Sequence, residues 1–267
     1  MASLKTLADM TGRRVLITGG TGHLGRVIAD TVAEQGAEVL LLDRPESPFQ
    51  EVEEHLKKTW NVECESITCD LESEIARNET IQMVLNDGKP LNCLVNNAAF
   101  VGTSNLQGWS NAFEAQSLDT WRRAFEVNLT APFHLSQGLS PLLRRSKGAN
   151  ILNITSVYAE QGPDWRLYEG TSMGNPAAYG ASKAGLTQLT RWLATTLAPD
   201  VRVNAICPGG ISREQPDSFV EQYVQRTPLQ RMARETDFKG SVALFASDLS
   251  SYTSGQVLTI DGGWGVW

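Results

Sequence analysis

The stretch that decides the fold is Thr18-Gly19-Gly20-Thr21-Gly22-His23-Leu24-Gly25, which follows the apolar run 14–18 (RVLIT) and opens a helical pattern over 23–36. A strand, a glycine-rich turn and a helix start, in that order, make a phosphate cradle. Glycines let the backbone approach the anion, and the free N–H groups of the first helical turn face it. A tight structural turn is the plainer reading of the same residues. The next apolar run, 38–43 (EVLLLD), favours the cradle, because it closes on Asp43, 18 residues past Gly25 (43 − 25 = 18). A carboxylate there accepts hydrogen bonds from an adenosine ribose; capping the following helix is its other reading. Asp43 would repel a 2′-phosphate, whereas the guanidinium of Arg44 can hold one. The expectation is NAD rather than NADP.

Outward from this unit the same alternation continues. Strands are expected at about 14–18, 38–43, 65–69, 92–96, 149–155, 201–207 and 256–260. Helical periodicity covers roughly 23–36, 47–59, 72–87, 117–146, 177–198 and 235–247. Leu118, Trp121, Phe125, Leu129 and Phe133 fall on one side of the fourth of these helices. Alternation with short turns predicts an α/β fold, a doubly wound parallel sheet of about seven strands between helical layers. With no internal repeat, linker or low-complexity tract, 1–267 reads as a single domain. Two segments resist regular assignment: 157–176 (VYAEQGPDWRLYEGTSMGNP) and 208–234, which begins Pro208-Gly209-Gly210. Both follow strands, where open α/β sheets bind ligands, so both are expected to be substrate loops, with 212–228 as a lid.

Composition narrows the function. The 267 residues carry 23 Lys+Arg against 30 Asp+Glu, a net charge of −7, with no basic block. Nucleic acid and anionic membrane surfaces are therefore not expected partners. Apolar runs such as Val39-Leu40-Leu41-Leu42 are far too short to span a bilayer, and the N-terminus lacks the apolar core of a signal peptide. Cys64, Cys69, Cys93 and Cys207 are scattered, as in a reducing compartment, and the expected location is the cytoplasm. His23, His55 and His134 have no metal-ligand spacing, so no metal is expected.

The chemistry centres on Tyr179-Gly-Ala-Ser-Lys183, at the start of the helix over 177–198. Residues i and i+4 share a helix face, so phenol and ammonium can enter one cleft. A tyrosine titrates near ~10 in isolation. A neighbouring ammonium and a positive nicotinamide ring favour the phenolate, which can then exchange a hydroxyl proton while hydride moves. An exposed helix pair is the alternative. Ser156 ends the fifth strand, where it can bond a substrate carbonyl or cap the turn. Asn128 sits mid-helix, an unfavourable place unless its amide has work: binding a water near Lys183, or bending the helix as a packed polar group. Asn96-Asn97-Ala98-Ala99 follows the fourth strand.

These pieces, in this order, resemble the short-chain dehydrogenase/reductase family over roughly 12–263: TGGTGHLG (18–25), Asp43, Cys69-Asp70-Leu71, NNAA (96–99), Asn128, Ile154-Thr155-Ser156, YGASK (179–183), Pro208-Gly209 and Asp261-Gly262-Gly263. The resemblance implies a Rossmann-like subunit with a catalytic set of Asn128, Ser156, Tyr179 and Lys183. It implies a cofactor site of Gly19, Thr21, Gly22, His23, Leu24, Asp43, Arg44, Asp70, Leu71, Asn97, Ala98, Ala99, Tyr179, Lys183, Pro208, Gly209 and Ile211. Within that site Asp70 and Leu71 would contact adenine, Lys183 the nicotinamide ribose, and Ile211 the carboxamide. It also implies a homotetramer or homodimer built on the helices at 117–146 and 177–198.

Two features depart from the family pattern. His23 stands where the shorter-chain branch usually has glycine, giving TGxxGxxG as in the epimerase and dehydratase branch. Ser156 and Tyr179 are 23 residues apart, where about a dozen is usual. The insert places Asp164, Arg166 and Tyr168 where they can read a polar substrate; a subunit-contact loop is the other reading. With TGGTGHLG (18–25) and PGGI (208–211), the insert resembles reductases of bacterial surface-glycan and flagellin-glycan biosynthesis. That implies a sugar, sugar phosphate or sugar nucleotide, with Arg166, Arg213 and Arg226 as candidate phosphate partners. The expected function is NAD(P)-dependent interconversion of a secondary alcohol and a ketone on a carbohydrate-like or sugar-nucleotide substrate. The alternatives are a non-catalytic dinucleotide-binding regulator and an epimerase or dehydratase that recycles bound NAD.

Overall fold

Seven strands form one parallel sheet in the order β3-β2-β1-β4-β5-β6-β7. They are β1 (Arg14–Thr18), β2 (Glu38–Asp43), β3 (Cys64–Thr68), β4 (Cys93–Asn96), β5 (Asn150–Ile154), β6 (Arg202–Pro208) and β7 (Val257–Ile260). The coordinates are a computed structural model that describes residues 2–101 and 106–267. Each strand lies within about one residue of its expected position.

The helices are α1 (Leu4–Ala8), α2 (His23–Glu34), α3 (Phe49–Trp60), α4 (Glu74–Asn86), α5 (Leu118–Phe125), α6 (Ala131–Arg145), α7 (Ala177–Thr196), α8 (Asp217–Arg226) and α9 (Lys239–Ala246). The central strands β1, β4 and β5 are buried along their whole length because both sheet faces are covered. Alternation divides strand residues between two cores. Val15, Ile17, Val39 and Leu41 pack with α2, α3 and α9, while Leu16, Leu40 and Leu42 pack with α4, α6 and α7.

Strand order reverses between β1 and β4, so the chain leaves their carboxyl ends in opposite directions and opens a crevice there. β1 ends there at Thr18 and β4 at Asn96.

Three local differences from expectation have physical causes. The helix at 117–146 is interrupted by a π turn at Glu126–Thr130. Pro132 has no N–H to return to the Asn128 carbonyl, and the Ala131 N–H bonds the Glu126 carbonyl five residues back instead. The polar stretch 212–228 contains α8, whose Phe219 and Tyr223, four residues apart, form a buried face. Finally, the stripe Leu118, Trp121 and Phe133 points to solvent, while Thr120, Ala124, Asn128, Ala131 and Leu135 face the core.

Candidate active site

At the glycine-rich turn the backbone is folded onto itself. Gly19 adopts φ +64° and donates its N–H to the Leu42 carbonyl at 2.8 Å. A side chain at Gly25 would collide with the Gly19 carbonyl, so the α2 start closes onto the turn only with glycine there. Gly22 caps α2 without any side-chain bond, which leaves the first-turn N–H groups open. Asn97 Nδ2 braces the turn from β4, donating to the Thr18 and Gly19 carbonyls at 3.0 Å each.

A cleft of about 820 Å³ runs from this turn across the sheet's carboxyl edge. Its lining includes Gly19, Gly22, His23, Leu24, Asp43, Arg44, Asp70, Leu71, Asn97, Ala98, Ala99, Ser156, Tyr179, Lys183, Pro208, Gly209 and Ile211. Uncapped N–H groups, a Cβ-free floor and a cleft this long fit a dinucleotide.

Two candidates do not reach the cleft. Thr21 is buried and turned toward Asp43, donating its N–H at 3.0 Å and its hydroxyl at 2.7 Å to one carboxylate oxygen. The other oxygen takes the Arg44 N–H at 2.9 Å, and the Arg44 side chain pairs with Glu46 at 3.2 Å. Asn128 has no exposed surface. Its Oδ1 accepts from the Phe100 N–H at 2.6 Å, and its Nδ2 donates to the Phe100 carbonyl at 3.3 Å and Ser182 Oγ at 3.0 Å. Asn128 therefore ties the segment after β4 to α7, one residue before Lys183.

Ser156 follows β5 and both lines the cleft and caps the next turn, accepting the Tyr158 N–H at 3.3 Å. Burial raises the Tyr179 phenol above its ordinary value; Ser156 and, more weakly, Arg213 pull it down. Lys183 is 1% exposed, and burial brings its ammonium down to about 8. Its Nζ donates to the Ile154 carbonyl at 2.8 Å. Ser156 and Arg213, rather than Lys183, are the neighbours that lower the phenol in this arrangement.

Sequence reading missed Arg77. Fully buried in α4, it donates to the Leu71 carbonyl, to His134 Nδ1 at 3.1 Å and to Glu126 at 2.5 Å. It thus fastens one end of the cleft to the π turn. An arginine within E-I-A-R looks like a solvated helix face, and only the carboxylate 49 residues on shows otherwise.

Beyond Ser156 and Tyr179 lies an inner pocket of about 340 Å³. Tyr158, Tyr168, Met173, Asn175, Phe219 and Tyr223 shape it, and among the described residues no charged side chain lines it. Of the insert's candidates only Tyr168 is there. Asp164 binds Arg166 at 2.7 Å and also Arg226, whose guanidinium lies 4.2 Å from the Trp264 ring centre. Trp264 is buried against Tyr223, and Trp267 Nε1 donates to the Arg226 carbonyl at 3.1 Å. Only Arg213 among the candidate phosphate partners faces the main cleft, and it is paired with Glu235 at 3.3 Å. Among the described residues there is no cluster of three metal ligands, and no helix long and apolar enough to cross a membrane.

The family model described as enoyl-(acyl carrier protein) reductase matches residues 21–265. The chain belongs to the short-chain dehydrogenase/reductase family, whose members are NAD(P)-dependent oxidoreductases of CH–OH groups. It is 32% identical over 267 residues to the rhamnolipids biosynthesis 3-oxoacyl-[acyl-carrier-protein] reductase of Pseudomonas aeruginosa, covering 96% of this chain and 97% of that protein. The NADPH-dependent 3-quinuclidinone reductase from Rhodotorula rubra superposes with a TM-score of 0.88 at 25% identity, covering 100% of this chain and 96% of the other. An NAD+-bound xylitol dehydrogenase does so with a TM-score of 0.83 at 28% identity, covering 95% and 99%. Both cofactors and very different substrates thus occur around this chain.

Proposed function

We propose that the chain is an NAD-dependent oxidoreductase that interconverts a secondary alcohol and a ketone on a neutral, carbohydrate-like ring. It would act as one domain, in a homodimer or homotetramer in the cytoplasm. The observation that carries this is the meeting of Ser156, Tyr179 and Lys183 where the long cleft joins the uncharged inner pocket.

A nicotinamide cofactor supplies hydride transfer when bound. Asp43 and Arg44 would hold its adenosine ribose, Asp70 and Leu71 its adenine, and the turn of Gly19, Gly22, His23 and Leu24 its pyrophosphate. Asn97, Ala98, Ala99, Pro208, Gly209 and Ile211 would flank the remainder. Tyr179 gives or takes the hydroxyl proton, and Ser156 orients the carbonyl by donating to its oxygen. Lys183, which lines the cleft beside Tyr179, would hold the ribose hydroxyls. Asn128 keeps α7 and the segment after β4 in register. The preference for NAD rests on the Asp43 carboxylate at the cleft wall and on Arg44 being drawn to Glu46. A phosphorylated substrate arm in the inner pocket would find no cation, so the reading narrows to a neutral ring.

Tyr179→Phe tests it. The variant should bind cofactor like the parent and lose about 10²–10⁴-fold in turnover, measured at 340 nm with NAD and NADP in parallel on polyols, sugars and cyclic ketones. Unchanged turnover removes Tyr179 from the chemistry. Tightly held NAD in the purified protein, with no label reaching product from deuterated nicotinamide, would favour a recycling enzyme.

A further inference from the structure

The inner pocket does not end at the insert. Beyond Tyr158 and Tyr168 lies an outer cavity of about 520 Å³, which shares Ser110, Tyr158, Tyr168, Met173, Asn175 and Pro176 with the inner one. The partition between them is a hydroxyl pair. Tyr158 and Tyr168 meet oxygen to oxygen at 2.7 Å, and Asn175 Nδ2 donates to the Tyr168 hydroxyl at 3.4 Å. Burial pushes the Tyr158 phenol up, which keeps its hydroxyl protonated.

The outer cavity, like the inner one, is lined by no charged side chain among the described residues. Its aromatic surfaces are Phe113 and Trp165, both exposed, Trp165 by 59%. Its polar groups are amides with bonding capacity to spare. Asn111 uses its Oδ1 on the Gly108 N–H at 2.9 Å, and no described residue accepts from its amino group. Gln161 uses its Nε2 on the Gly265 carbonyl at 3.4 Å, and no described residue donates to its oxygen. A ring with C–H faces and a hydroxylated rim matches this lining, since the faces stack on aromatic planes and the rim bonds amides. An anionic arm would be desolvated there with no partner.

We propose that the outer cavity is a second subsite, which takes a neutral hydroxylated ring joined to the ring that reacts. The substrate is then a two-ring, glycoside-like molecule that passes the Tyr158–Tyr168 partition, and the insert sets that specificity. This rests on the proposed function, which seats the reacting carbon in the inner pocket.

The test is calorimetric titration of NAD-loaded protein with methyl β-D-glucopyranoside and methyl β-cellobioside, for the parent and for Trp165→Ala. In the parent the two-ring glycoside binds roughly tenfold tighter or more. Trp165→Ala removes that advantage and leaves the one-ring affinity within about twofold. Equal affinities in the parent, no binding of either glycoside, or an advantage that survives Trp165→Ala would each overturn the proposal. So would a lost advantage accompanied by a fall in molecular mass, since the cavity would then be closed by a second copy of the chain. Binding is read without turnover, so a Tyr179→Phe protein that kept full activity would overturn the catalytic reading while leaving these isotherms unchanged.

Discussion

Lys183 shows what the site costs the fold. Its ammonium is 1% exposed and has the Ile154 carbonyl as its hydrogen-bond acceptor. A group lowered from 10.5 to about 8 by burial destabilises the folded state by about 3 kcal/mol while it stays protonated. The sign follows from proton counts. Below pH 8 both folded and unfolded chains hold the proton, and the cost is present in full. Between about 8 and 10.5 the unfolded chain holds more protons, so stability rises with pH. Lys183→Met should therefore be at least as stable as the parent at pH 7, after about 1–3 kcal/mol for the orphaned carbonyl. Its advantage should shrink toward pH 9.5, measured as the difference in Tm between the cofactor-free proteins. A pH-independent difference would mean that the ammonium is not desolvated as its burial implies. Such a residue was legible in the sequence because Tyr179 and Lys183 lie one helical turn apart, and that spacing fixes their shared face. Asn128 was legible only as an anomaly. Its partners, Phe100 and Ser182, are 28 and 54 residues away, and no local pattern names them. Thr21 could not be placed either, since whether it faces a phosphate or Asp43 depends on the hydrogen bond across to β2.

Among the elements, those with strong periodicity were legible and those made by single long-range contacts were not. The strands follow from apolar runs buried on both faces. The π turn follows from Pro132, visible in the sequence but readable as a defect only once the helix is known to continue through it. Helix α8 was hidden by its flanking prolines and charges, although Phe219 and Tyr223 carry its apolar face. This helix and the insert are held together by one ion pair, Asp164 with Arg226, over a floor of Trp264, Phe219 and Tyr223. The Asp164 side chain is largely buried, and its carboxyl lies well below the usual carboxylate range because Arg166 and Arg226 bond it. A lowered acid contributes stability above its unfolded value and loses it as pH falls through the folded one, so the pair is intact at neutral pH. Asp164→Asn should weaken the bracket by about 1–2 kcal/mol. The expected outcome is a several-fold rise in KM for the ketone, unchanged cofactor affinity, and faster proteolysis within 217–226. If both KM and cleavage rate match the parent, the pair does not hold the lid.

At the scale of the molecule, the feature that the fold leaves unfinished is the outer face of α5, α6 and α7. The Leu118-Trp121-Phe133 stripe, which periodicity alone would assign to a core, points outward together with Trp192, which is 54% exposed. Single exposed apolar residues are ordinary, but a row of them on long adjacent helices is the composition of an interface, where tryptophan carries a large share of the energy. Two such faces can meet about a twofold axis, so that each stripe covers its own counterpart. The sequence shows the stripe but not its direction, because both sides of this helix carry apolar residues and only the packing of Ala124 and Ala131 against the core chooses between them. Trp192→Asp places a charge on the exposed side of α7, at a residue that lines none of the cavities. The parent should elute as a dimer or tetramer by light-scattering chromatography, and the variant should fall to a smaller species, with far-ultraviolet circular dichroism unchanged. A variant with the parent's mass would mean that this face is not where the copies meet. The exposed edge strand β7 would then be the surface to substitute next, at Leu258.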